Sequence, residues 1–242
     1  MTQRELTQAY SFLQQARSPF VRDASRWIIN WDDPAPALVA LSGDVGQRLG
    51  PFDTFRMCAL LGLGHSQAVR TLGLDVLVEP FHEQGQASLM GQALAIAHAY
   101  DIWPDADRKT PTALLNVFRS QLEADGLQQL MASLGILCLV GSAQIVKDEQ
   151  LQHQAFRVYA QTPITQLSSA SALYAFETTL LNDDMVPHRE DAEKHVWQHQ
   201  GDDGGLVLAD KPKAVRELET LRALALSLRL QRGSPNPSAR TD

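Results

Sequence analysis

The chain has 242 residues, a formal net charge of −7, and 44% hydrophobic and 20% charged residues. This composition excludes a wholly disordered chain, and the length suits one large domain or two small ones. The two cysteines, Cys58 and Cys138, exclude a disulfide scaffold and favour a reducing compartment, which we expect to be the cytoplasm.

Apolar side chains recur at helical spacing along most of the chain, so the sequence predicts a series of helices. The first two cover 4–16 and 20–30, and Ser18 with Pro19 marks the start of the second. Loops rich in proline, glycine or aspartate separate the later predicted helices, which cover 37–49, 54–63, 67–78, 88–100, 110–122, 127–140, 148–161, 168–182, 187–200 and 212–231.

This pattern predicts an all-α fold. Short helices joined by short loops pack either as a multi-helix bundle or as an irregular stack of helix pairs resembling HEAT or armadillo repeats. The sequence carries no repeated signature residues that would decide between the two. A brief strand is also predicted near 206–208, where Leu206, Val207 and Leu208 follow a glycine-rich loop.

The composition shifts near the C-terminal end and suggests four regions. We predict a helical domain over 1–200 and a flexible Gly/Asp-rich hinge over 201–211. An amphipathic helix over 212–232 and a disordered tail over 233–242 follow. The stretch 179–203 carries two basic and seven acidic residues, whereas 204–242 carries seven basic and four acidic residues. The last helix therefore either folds back onto the acidic stretch or presents a basic face to a partner.

The predicted helix 187–200 holds the strongest candidate for a metal site. His195 and His199 are four residues apart, a spacing that places two imidazoles on one helix face. Asp191 lies one turn before His195 and is a third candidate ligand. One helix supplies at most two adjacent ligands, so the others would come from elsewhere. A solvated polar helix is the alternative interpretation.

A second motif resembles the nucleophile elbow of serine hydrolases and acyltransferases. Gly64-His-Ser66 follows an apolar stretch, and a small residue, Ala68, stands where the elbow has its last glycine. The motif belongs between a strand and a helix, whereas this sequence predicts helices on both sides. If helices do lie on both sides, Ser66 is predicted to be the N-cap of the second helix and not a nucleophile.

The last helix suggests a partner-binding surface. Leucines recur along one stripe, with basic side chains beside it, and such a helix binds a partner protein or an anionic surface when it is exposed. We predict partner contacts from Arg216, Leu221, Arg222, Leu228 and Arg229.

Taken together, the sequence favours a non-catalytic helical protein that binds another protein. A metal-binding protein or metal-dependent enzyme using His195 and His199 with a divalent ion, and a hydrolase using Ser66, are the alternatives. No cofactor is predicted beyond that divalent ion. No apolar run approaches the roughly 20 residues of a membrane span, and the acidic charge disfavours nucleic acid. The oligomeric state is left open.

Overall fold

The computed structural model describes residues 1–30, 149–150, 153, 157, 159, 163–179, 186–209 and 211–231. Within these ranges the chain is mostly helical and has no strand, which confirms the all-α class for the described residues. The predicted helices between 37 and 140, Ser66 and the tail at 233–242 lie outside them.

Two α-helices near the N-terminus and three near the C-terminus have bounds within the described residues. The separate residues 149–150, 153, 157 and 159 are also helical, in agreement with the helix predicted over 148–161. Helix α1 covers Gln3–Gln14 and α2 covers Pro19–Asn30. A 3-10 helix, Ile164–Gln166, precedes α3, which covers Ser169–Thr179. Helix α4 covers Val186–Gln198, and α5 covers Lys213–Gln231. Their described ends lie close to the predicted ones.

Local sequence explains where these helices begin. Thr2 and Glu5 form a reciprocal capping box at the start of α1, with each side chain accepting from the other's main-chain N–H. Pro19 occupies the first position of α2, where a missing N–H costs little. The Ser168 hydroxyl accepts from the Ser171 N–H ahead of α3.

Helices α3 and α4 pack as an antiparallel pair. The Arg189 side chain near the start of α4 donates to the carbonyl of Thr179 at the end of α3. At the opposite end, His195 of α4 contacts the carbonyl of Leu167, which precedes α3. Contacts at both ends in this order require the two helices to run in opposite directions.

Helices α1 and α5 also run antiparallel, although they are far apart in the chain. Phe12, late in α1, lies beside Lys213 and Arg216 at the start of α5. Gln231, the last residue of α5, donates to the carbonyl of Met1. The Met1 ammonium group lies 2.8 Å from a carboxylate oxygen of Glu193, so the start of α1 also contacts α4.

Helix α5 occupies the centre of the described residues. Every side chain from 220 to 228 is buried, and α5 packs against α1, α2 and α3. The Trp197 indole of α4 donates to the Ser227 hydroxyl at 2.8 Å. A helix buried around its whole circumference normally carries only apolar residues, whereas this one carries Arg222.

An ion-pair network compensates the buried arginine. Arg222 is 1% exposed, and its guanidinium lies 3.0 Å from a carboxylate oxygen of the buried Glu177 on α3. Glu219, one turn earlier on α5, accepts two hydrogen bonds from the same guanidinium. The centroid of the Tyr174 ring lies 5.3 Å from the Cζ atom of Arg222, which adds a cation–π contact. Helices α3 and α5 are therefore joined by charge inside the core.

The brief strand predicted near 206–208 is not formed among the described residues, so that prediction is wrong. Leu206 makes only an isolated antiparallel bridge with Gln200. Its N–H donates to the Thr220 hydroxyl, and its carbonyl accepts from Arg216 Nε. Because side chains of α5 satisfy both main-chain groups, Leu206 has no need of a neighbouring strand.

None of the helices in the described ranges is long and apolar enough to cross a membrane. The finding agrees with the lack of a long apolar run in the sequence.

We expect Arg222→Met to lower the free energy of unfolding by about 3–5 kcal/mol, because it leaves Glu177 charged and buried without its guanidinium. Adding Glu177→Leu should recover part of this loss, since it removes the stranded charge. Urea unfolding followed by circular dichroism measures both. The control is Arg26→Ala, whose 56% exposed side chain pairs with Asp23 at the surface and should cost less than about 1 kcal/mol. Equal losses for Arg222→Met and Arg26→Ala would contradict the structural role of the buried network.

Candidate functional site

The histidine-rich end of α4 is the first candidate site. His195 is buried and His199 is half-buried, whereas Asp191 is exposed. The rings of His195 and His199 make an edge-to-face contact, with centroids 4.9 Å apart and planes at 78°. His188 lies apart from them, against the ring of Tyr159. The helical spacing thus brings together two of the predicted side chains.

Both ring nitrogens of His195 have partners within the protein. Nε2 lies 3.2 Å from the carbonyl oxygen of Leu167, and Nδ1 lies 3.2 Å from Oε1 of Gln198. Both partners are carbonyl oxygens, which only accept hydrogen bonds, so each ring nitrogen donates to its partner only when it carries a proton. The contact fixes the end of α4 against the residue that follows the 3-10 helix.

His199 has an unusual environment for a side chain that titrates near neutral pH. Its Nε2 atom is buried and has no hydrogen-bond partner. Burial lowers the pKa of His199, and the charge on neighbouring His195 lowers it further. Hydrogen bonding to the main chain at Leu167 acts in the opposite direction but does not reverse the shift. The folded protein therefore favours the neutral ring.

The three predicted metal ligands, His195, His199 and Asp191, are not assembled as a set. No group of three or more histidine, cysteine, aspartate or glutamate side chains within the described ranges could hold an ion. An ion bound to Nε2 of His195 would have to displace its contact with Leu167. Metal binding by the histidine pair stays a prediction, with its remaining ligands supplied by other residues or by water.

The predicted partner-binding residues of α5 occupy two kinds of environment. Leu221, Arg222 and Leu228 are buried, whereas Arg216 and Arg229 are half-buried. Arg216 lies where α5 meets both α1 and the turn that follows α4. This junction is the second candidate site.

We call the group of residues that holds α1 at this junction the α1 seat. It consists of Gln200, Gly204, Gly205, Lys213 and Arg216. The first three belong to the turn between α4 and α5, and the other two lie at the start of α5. Together they contact the main chain of α1 and one of its side chains, the Phe12 ring.

The turn is closed by its own hydrogen bonds. The N–H of Gly201 donates to the carbonyl of Gly205, and the N–H of Gly204 donates to the carbonyl of Gly201, both at 2.9 Å. Gly204 has a φ of 88°, a conformation that favours glycine. The segment predicted as a flexible hinge therefore begins with a hydrogen-bonded turn.

Asp203 attaches this turn to α5. Its Oδ1 atom accepts from the Gly205 N–H at 3.1 Å and from Arg216 Nη2 at 2.8 Å. Partial burial alone would raise the pKa of Asp203. The hydrogen bonds from Arg216 and Gly205, with the charges of Arg216 and Lys213, lower it overall. The ionised carboxylate thus holds Arg216 in position beside the Phe12 ring of α1.

The Phe12 ring fills the seat. The Arg216 Cζ atom lies 5.4 Å from the ring centroid, and the Lys213 Nζ atom lies 5.8 Å from it. Both distances are typical of cation–π contacts. A Cβ added to Gly205 would lie 2.5 Å from Cζ of Phe12, so a glycine is required for the ring to enter. Phe12 is consequently buried.

The rest of the seat recognises the main chain of α1. The Gln200 side-chain amide donates to the carbonyl of Glu5 at 3.1 Å and to the carbonyl of Gly204 at 2.9 Å. A Cβ at Gly204 would overlap the main-chain oxygen of Gln8. The helix backbone therefore approaches the turn more closely than a side chain at Gly204 would allow.

Sequence patterns do not identify Phe12, Gly204 or Gly205 as site residues. The adjacent glycines indicate flexibility in the sequence, because nothing local shows what packs against them. Arg216 is predicted as a partner contact from its place on a basic helix. In the structure Arg216 contacts the Phe12 ring, so it belongs to the surface that packs against α1.

Comparisons with family descriptions, curated proteins and solved structures find no match for this chain. Function is therefore argued from the contacts of the described residues.

We expect Gly204→Ala to lower the free energy of unfolding by at least about 1–3 kcal/mol, the usual cost of an unfavourable φ. Overlap with the Gln8 main chain adds to that cost. Gly201→Ala is the control for a milder change, because φ at Gly201 is not in the left-handed region. Its Cβ would lie 3.0 Å from the exposed Val207 side chain, 3.3 Å from Asp203 Oδ1 and 3.5 Å from the Gly205 carbonyl oxygen. Urea unfolding measures both variants. Similar losses in the two would contradict close packing of the turn on α1.

We expect the protein to lose stability as the pH falls below about 6.5, the ordinary histidine pKa. The pKa of His199 is lowered in the folded state, so the unfolded chain binds more protons and is favoured on acidification. Its contribution is fully present above that pH and is lost as the pH falls through the lowered value. Thermal melts between pH 7.5 and 5.5 test this for wild type and His199→Gln, with His153→Gln at an exposed position as control. An identical pH slope in all three proteins would refute the assignment.

Proposed function

We propose that this is a non-catalytic helical protein that binds another protein, and that the bound element is a helix. The α1 seat is the observation that carries the proposal. It already holds a helix through two main-chain contacts and one aromatic ring. Binding of an amphipathic helix in a groove is a common mode of protein recognition.

The chemistry of the seat supports this kind of partner. Arg216 and Lys213 present two cations to one aromatic ring, and aromatic and arginine side chains often dominate binding energies. Asp203 and the Leu206 carbonyl hold the Arg216 guanidinium, so little side-chain freedom is lost on binding. A preorganised cation of this kind favours affinity.

The predicted contacts on α5 take different parts in this proposal. Arg216 contacts the bound helix directly. Leu221, Arg222 and Leu228 would reach a partner only if α5 left the core, so we propose that they hold the seat in place. A partner contact by Arg229 stays a prediction.

We also propose a multi-helix bundle as the wider architecture and the cytoplasm as the location. Helices α1 and α2 pack against α5 although they are far from it in the chain, whereas the units of a helix-pair stack contact only their neighbours in sequence. The low cysteine content supports a reducing compartment.

The proposal predicts that the protein captures a partner. It also predicts that Arg216→Glu weakens partner binding at least tenfold when both chains carry Phe12→Leu, so that loss of the contact with α1 does not offset loss of the contact with the partner. The reversed charge repels the electron-rich face of an aromatic ring and breaks the pair with Asp203. Partners captured from the native host are identified by mass spectrometry, purified and titrated by calorimetry against the Phe12→Leu chain, alone and with Arg216→Glu or Arg4→Glu added. Arg4 is exposed on α1, so its variant is a charge-matched control. Circular dichroism confirms that each variant is folded.

Two results would contradict the proposal in different ways. If no protein binds stoichiometrically, protein binding itself is wrong. If a purified partner binds the Phe12→Leu chain equally with and without Arg216→Glu, the α1 seat is not the binding surface.

A further inference from the structure

We propose that α1 is a displaceable occupant of the α1 seat, and that a partner enters by substituting an amphipathic helix that carries an aromatic side chain where Phe12 lies. This inference rests on the proposed function and names both the chemistry of the partner and its regulation. In the structure the seat is closed by the chain's own first helix.

The seat recognises features that another helix can supply. Gln200 bonds to a main-chain carbonyl, and Gly204 lies against main-chain atoms, so neither contact depends on the side chains of α1. The Phe12 ring is the side chain that the two cations contact. Another helix that carries one aromatic ring at the right position can therefore make the same contacts, even if its other residues differ from those of α1.

Helix α1 has one buried face and one face that is exposed to solvent. Its buried residues are Ala9, Phe12 and Leu13, and the last two follow Ala9 by three and four positions, which places all three on one face. Arg4, Thr7, Ser11 and other outward positions are exposed. A competing helix therefore needs the buried pattern and is free to differ on its outer face.

Helix α1 also reduces the apparent affinity of any competitor. When only a fraction of molecules has an open seat, the apparent dissociation constant equals the intrinsic one divided by that fraction. Weakening the hold on α1 should therefore tighten the binding of an added helix. Phe12 is the residue to change, because it supplies the ring that fills the seat.

The test uses a labelled peptide with the sequence of residues 1–16 and the full-length chain. Fluorescence anisotropy should show at least tenfold tighter binding to the Phe12→Ala chain than to wild type, because α1 no longer competes effectively. Phe12→Leu, which removes the ring but keeps an apolar side chain, replaces Phe12→Ala if that variant does not fold. A peptide carrying the same Phe12→Ala change should bind at least tenfold more weakly than the unchanged peptide.

A second variant of the chain checks that the peptide enters the seat itself. Adding Gly205→Ala to the Phe12→Ala chain places a methyl group where the ring of the peptide must lie, so binding of the unchanged peptide should be lost. If neither Phe12 variant folds, wild type is titrated with both peptides, and preference for the unchanged peptide supports the proposal.

Several results would overturn the inference. The first is that the peptide binds to no variant of the chain. The second is that the two peptides bind equally well, and the third is that the unchanged peptide has equal affinity for wild type and the Phe12 variant. Retained binding after Gly205→Ala would overturn it as well. A natural partner that binds while the peptide does not would remove this inference and leave protein binding intact. If the peptide binds but the native organism supplies no partner, α1 is displaceable and the proposal of protein binding is wrong.

Discussion

Burial of α5 on all sides is the constraint on which the rest of the described structure depends. A helix with no solvent-facing side over 220–228 needs packing partners all round, and α1, α2 and α3 supply contacts to it. Because one buried residue is Arg222, a carboxylate from α3 must also enter the core. Packing and charge together therefore fix the position of α5, and α5 in turn fixes Arg216 beside the Phe12 ring of α1.

The helices themselves could be predicted because their signals are local. Pro19 and Ser168 lie at helix starts, and apolar residues at helical spacing mark the segments between. The all-round burial of α5 could not be predicted in the same way. Arg222 indicated a solvent-facing side, and its partner Glu177 lies 45 residues away on another helix. A single sequence does not show which distant charges meet.

The candidate site was predictable to a similar extent. The i, i+4 spacing of His195 and His199 correctly implied that their rings would lie close together. The carbonyl of Leu167 that engages His195 is main chain, and no residue type announces it. Gly204 and Gly205 are the clearest case. Their role is set by Gln8 and Phe12 on α1, so the sequence around them indicated flexibility instead of a fitted surface.

The contact between α1 and its seat also orders events during synthesis. On the order of 200 residues separate Phe12 from Arg216, which corresponds to roughly 10–40 s of translation at usual rates. During that interval the apolar face of α1 has left the ribosome, but the glycines and cations that cover Phe12 have not been made. Until α5 emerges, the nascent chain therefore carries Phe12 without the glycines and cations that bury it in the folded protein.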